Sequence, residues 1–73
     1  FKQGDVISVF LVVVYDISAA RRRNRVVKIL SRYGDRVNLS VFECSVKDLS
    51  ALKKIKEEIK RVINPRRDHV RYY

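Results

Sequence analysis

The feature that most limits what this chain can become is a run of β-branched and aromatic residues near its start. Val6-Ile7-Ser8-Val9-Phe10-Leu11-Val12-Val13-Val14-Tyr15 is apolar except for Ser8 and stops abruptly at Asp16. A run of this length without polar alternation reads as a strand buried on both faces, and therefore as a central strand of a sheet. Lys2 before it and Ser18-Ala19-Ala20 after it superficially suggest a secretory leader. One basic residue is a poor leading segment, however, and Asp16 interrupts the join, so a strand is the better reading. Ten residues also fall far short of the ~20 that a membrane-spanning helix needs, and no membrane partner is expected.

The rest of the chain supplies elements to cover such a strand. Asp16-Ile17-Ser18 ends it, and Ser18 is the expected N-cap of a helix reaching Tyr33, with Val26, Val27, Ile29, Leu30 and Tyr33 on its apolar face. Gly34 is the expected helix stop. From Arg36 to Val46 the pattern is strand-like, but its alternation changes phase between Leu39 and Val41-Phe42. A kink or turn near Ser40 would divide it into two short strands. Asp48 then caps a second helix carrying Leu49, Leu52, Ile55, Ile59, Val62 and Ile63 at helical spacing, and Asn64-Pro65 ends it. A last strand starts at Asp68. The order β-α-β-β-α-β, with two helices over one face of an antiparallel sheet, is the ferredoxin-like α+β arrangement. One domain over residues 1–73 is expected.

Charge narrows the function. Seventeen Lys and Arg against eight Asp and Glu give a formal net charge of +9 on 73 residues. So large an excess on so small a body favours a polyanion, RNA or DNA. The cations cluster: Arg21, Arg22, Arg23 and Arg25 open the first helix, where positive charge opposes the helix dipole. Phosphate binding accounts for this placement, because a helix N-terminus attracts anions and guanidinium groups add paired donors. Arg36 extends the same basic surface, as do Lys28 and Arg32. Asp16, at the junction of a buried strand and a loop, is either a cap on the following turn or the candidate catalytic carboxylate and ligand for Mg²⁺. A single carboxylate makes a thin Mg²⁺ site, but a twofold homodimer would bring two together. A small core also gains from a second copy. His69, without a paired acid in the sequence, is not expected to act in catalysis. The single cysteine, Cys44, excludes a disulfide framework and fits the reducing cytoplasm. Two glycines in the chain leave no room for a P-loop or dinucleotide fingerprint.

Together these residues resemble the CRISPR-associated protein 2 family. The likeness runs through Val12-Val13-Val14-Tyr15-Asp16-Ile17-Ser18, Arg23-Asn24-Arg25-Val26, Lys28-Ile29-Leu30, Tyr33-Gly34, Arg36-Val37 and Ser40-Val41-Phe42-Glu43, in that order and spacing. The resemblance implies a ferredoxin-like homodimer that cleaves RNA or DNA with Mg²⁺ and takes part in spacer acquisition. Alternatively it implies a non-catalytic, DNA-bridging subunit held by a CRISPR-associated integrase of the protein 1 family. The family's metal-binding, catalytic aspartate falls on Asp16 and its neighbouring tyrosine on Tyr15. Its functional arginines fall on Arg23, Arg25 and Arg36, and its interface aromatic falls on Phe42. Ala19-Ala20 replace acidic residues common in the family, and Cys44 replaces a common glycine. Measured against relatives, this chain stops at Tyr73, before a strand that packs on the partner subunit. A third class, an RNA-recognition motif on the same fold, is disfavoured because Leu39–Cys44 lacks that motif's aromatic and glycine pattern.

Overall fold

A computed structural model describes residues 8–73. Its elements are β1 (Val9–Asp16), α1 (Ala20–Leu30), β2 (Gly34–Asn38), β3 (Val41–Val46), α2 (Leu49–Val62) and β4 (His69–Tyr72). The β-α-β-β-α-β order read from the sequence is the order observed. All pairings are antiparallel and the strands lie β2-β3-β1-β4, so β1 is interior, as its composition demands. Val6 and Ile7, read as the start of that strand, lie outside the described residues.

One reading of β1 needs correction. Its burial alternates: Leu11, Val13 and Tyr15 are buried, whereas Phe10 is 64% exposed and Val12 and Val14 are only partly covered. Strand side chains alternate between faces, and here one sheet face carries the core while the other is open within the protomer. The buried set of β1 joins Phe42, Cys44 and Val46 of β3, Val26, Ile29 and Leu30 of α1, and Ile55 and Ile59 of α2 in one cluster.

The helix boundaries also shift. Ser18 does not cap α1; Ala19 holds that position and makes no side-chain cap. The helix ends at Leu30, not Tyr33, with Ser31 as its C-cap. Gly34 is therefore the first residue of β2 rather than a helix terminator. A Cβ at Gly34 would lie 1.9 Å from the backbone oxygen of Glu43, so only glycine lets β2 approach β3 this closely. The turn expected near Ser40 is present at residues 39–40, and the structure adds a bulge at Val37: Arg36 pairs with Phe42, yet Asn38 pairs with Val41. Asp48 caps α2 as expected, accepting from the Ala51 amide at 2.8 Å. Leu49, read as part of the apolar stripe, is 69% exposed at the first position of α2.

Among the described residues no helix is long and apolar enough to cross a membrane.

Candidate nucleic-acid and metal site

β1 delivers Tyr15 to the covered face and Asp16 to the open one, a consequence of strand alternation. Tyr15 is buried, tilted at 38° against Phe42 with ring centroids 6.2 Å apart. Its hydroxyl donates to the Leu39 carbonyl at 2.9 Å. Arg36 donates to that same oxygen through Nε at 3.2 Å and Nη2 at 2.8 Å. The β2–β3 turn is thereby drawn against the end of β1. Between them opens a pocket of about 390 Å³ lined by Tyr15, Asp16, Ile17, Arg23, Arg36, Leu39 and Ser40. Three residues singled out from sequence, Asp16, Arg23 and Arg36, thus share one wall although they come from three parts of the chain.

Asp16 is exposed, and no hydrogen bond ties its carboxylate to another described residue. Turn capping, the structural role open to it, is not seen. Its register partner on β4 is His69. Directly opposed residues in an antiparallel pair put their side chains on the same face about 5 Å apart at Cβ. The sequence showed His69 without a partner acid; strand pairing supplies one.

The first-helix arginines divide. Arg21 and Arg25 are exposed. Arg23 is half-buried and turns back to donate to the Ile17 carbonyl at 3.0 Å. Arg22 is taken by Asp68: Nε meets Oδ2 at 2.7 Å and Nη2 meets Oδ1 at 3.2 Å. Asp68 is 4% exposed, and also accepts from the backbone amides of Asn64 at 2.8 Å and Ser18 at 3.4 Å. The Arg22 hydrogen bond, with those of the two amides, holds its carboxyl down at about pH 2 against the opposing pull of burial. Sequence reasoning assigned Asp68 nothing beyond the start of a strand. The available signal was indirect: α1 has no acidic residue in its first turn, and a helix opening on arginines wants an anion nearby.

Phe42 sits opposite to expectation. It is 1% exposed and inside the protomer, because Phe42, Cys44 and Val46 share the covered face of β3. Cys44 is free and buried, and burial pushes its thiol up, which makes it a packing residue rather than a nucleophile.

The sequence profile of the family described as CRISPR associated protein Cas2 matches residues 9–73. The chain belongs to the Cas2 family. It is 38% identical over 65 residues to CRISPR-associated endoribonuclease Cas2 1 of Chloroflexus aurantiacus, covering 88% of this chain and 69% of that protein. Among solved structures, Streptococcus pyogenes Cas2 superposes with a TM-score of 0.84 at 33% identity, covering 89% of this chain and 83% of that one. A hypothetical protein from Thermus thermophilus gives a TM-score of 0.87 at 34% identity, over 92% and 80% of the two chains. The solved Cas2 structure and this chain share the ferredoxin-like β-α-β-β-α-β order.

Proposed function

We propose that this chain is a CRISPR-associated nuclease acting as a symmetric homodimer, cleaving RNA or DNA with Mg²⁺ held at Asp16 during spacer acquisition in the cytoplasm. The observation that carries the reading is a single pocket lined by Asp16 together with Arg23 and Arg36. The relative from Chloroflexus aurantiacus is named an endoribonuclease, which agrees with it.

The donor set fits Mg²⁺ in one particular way. Among the described residues no three His, Cys, Asp or Glu side chains gather around a point. Mg²⁺ commonly takes one or two carboxylates and completes its octahedron with water and substrate phosphate. Asp16 supplies the first carboxylate, and a second copy of the chain supplies the other. The open sheet face supports that pairing: Phe10, Val12, Val14 and Val41 leave an apolar surface uncovered on the side where Asp16 points. Bound there, the ion would polarise a phosphoryl oxygen and lower the pKa of an attacking water.

The chain's own groups do the rest. Arg23 and Arg36 each commit only part of a guanidinium to a carbonyl, leaving donors for phosphate oxygens. Arg21 and Arg25 extend the positive surface along α1 and hold the flanking backbone. Arg22, neutralised by Asp68, is not part of that surface.

The test is cleavage of single-stranded RNA and duplex DNA with Mg²⁺, beside Asp16→Asn and EDTA controls. Loss of cleavage in both controls with duplex binding retained supports the reading; cleavage surviving both refutes it. A second reading is a DNA-bridging subunit partnered by a CRISPR-associated integrase of the protein 1 family. The exposed cations Arg21, Arg25 and Lys28 favour it, since DNA binding through them requires no carboxylate. Tight duplex binding without any wild-type cleavage would select it.

A further inference from the structure

Asp68 is a buried acid that the reading above does not use, and it occupies an unusual junction. Its two oxygens receive four donors: Oδ1 takes Ser18 N and Arg22 Nη2, and Oδ2 takes Arg22 Nε and Asn64 N. A carboxylate has about four acceptor sites, so this one is saturated. The donors come from three places: the loop leaving β1, the first turn of α1, and the turn after α2. The neighbour of Asp68, His69, is the register partner of Asp16.

The loop that follows Asp16 is consequently held from two sides. Asp68 fastens the amide of Ser18, and Arg23 fastens the carbonyl of Ile17. The Ile17 side chain is itself buried in the core. Rotation of the backbone just after Asp16 would have to break these contacts. Asp68 also provides the negative charge that the N-terminus of α1 lacks in its own first turn.

We propose that Asp68, acting through Arg22 and the Ser18 amide, is a positioning residue that fixes the orientation of Asp16 in its pocket. The catalytic part of this inference rests on the nuclease reading; the orientation itself does not. Asn at this position keeps one acceptor oxygen where the carboxylate has two, and turns an amide donor on the rest of the junction. It can therefore hold only part of the four-donor arrangement.

The experiment compares wild type, Asp68→Asn, Asp16→Asn and the double variant, all as the full chain. Amide hydrogen exchange is followed at Ile17, Ser18 and Ala19 and, as reference, at Val13 and Phe42. Cleavage of a short single-stranded RNA with Mg²⁺ gives kcat and KM. Asp68→Asn should speed exchange in the 17–19 loop about tenfold or more while the reference amides change little. It should lower kcat about tenfold with KM nearly unchanged, as displacement of a reacting group does. Added to Asp16→Asn it should cost nothing further, because nothing remains to be positioned. Unchanged loop exchange, or equal acceleration of loop and reference amides, overturns the proposal, as does an unaltered kcat in a cleaving enzyme. If wild type does not cleave, the nuclease reading fails and the exchange contrast alone decides the positioning role. Should Asp68→Asn fail to fold, Arg22→Lys takes its place, since it keeps the charge but loses the paired donor geometry.

Discussion

The hydroxyl of Tyr15 donates to the carbonyl of Leu39 at 2.9 Å, joining the end of β1 to a turn 24 positions away. Arg36 donates to the same oxygen, so the turn is held by a phenol from below and a guanidinium from its own hairpin. Tyr15→Phe keeps the packing on Phe42 and leaves Leu39 with its Arg36 donors. The substitution should cost about 1 kcal/mol, the typical net value of one such bond. Urea unfolding of the variant beside wild type measures it. A loss near zero would mean Arg36 alone holds the turn.

Gly34→Ala should be more damaging than its small size suggests. The added Cβ would meet backbone atoms of Glu43 and Cys44 at 1.9 and 2.6 Å, and backbone cannot swing aside as a side-chain tip can. Displacing β2 from β3 should destabilise the fold by roughly 1–3 kcal/mol, as overpacking does elsewhere. Because β2 carries Arg36, phosphate binding should weaken with it. Thermal melting and duplex titration of the same sample check both effects.

Duplex binding should be steeply salt-dependent. On B-form DNA the slope of log affinity against log salt changes by about 0.9 for each phosphate contact removed. Arg21→Ala with Arg25→Ala should therefore flatten the slope by up to about 1.8. Titrations at several salt concentrations provide the slope. An unchanged slope would move the binding surface to the lysines of α2.

The Asp68–Arg22 pair makes stability depend on acid. Asp68 titrates near 2 when folded, below its ordinary value of 3.8. A depressed carboxyl stabilises the fold fully above its unfolded value, and this contribution fades as pH falls through the folded one. Wild type should hold steady from pH 7 to about 5 on this account, then lose the contribution between about pH 4 and 2. Asp68→Asn should be less stable at pH 7 and show a shallower loss across that window. Unfolding curves at pH 7, 4 and 2.5 test the sign, with other carboxylates contributing equally to both proteins.

Much of this was legible in the chain itself, where the deciding physics is local. A β-branched run longer than any loop tolerates makes an interior strand, and Asp48 ahead of a three- and four-residue apolar rhythm makes a capped helix. A change of alternation phase between Leu39 and Val41-Phe42 announces the turn that divides β2 from β3, though not the bulge at Val37. Asp16, ending an apolar strand, and the arginines that follow were visible as candidates for the same reason.

What tertiary structure decided was partnership. Ser18 looked like a cap and Gly34 like a helix stop because local rules take no account of what approaches from elsewhere. The backbone of Glu43 gives Gly34 its role, and Asp68 gives Ser18 and Arg22 theirs. Residues 22 and 68 are 46 positions apart, so no periodicity links them, and only closure of the sheet with α1 over it brings a buried carboxylate to that helix end. By the same means β4 puts His69 across from Asp16. Periodicity fixes which way a side chain faces along its own element; which charge it meets depends on the pairing of strands distant in the chain.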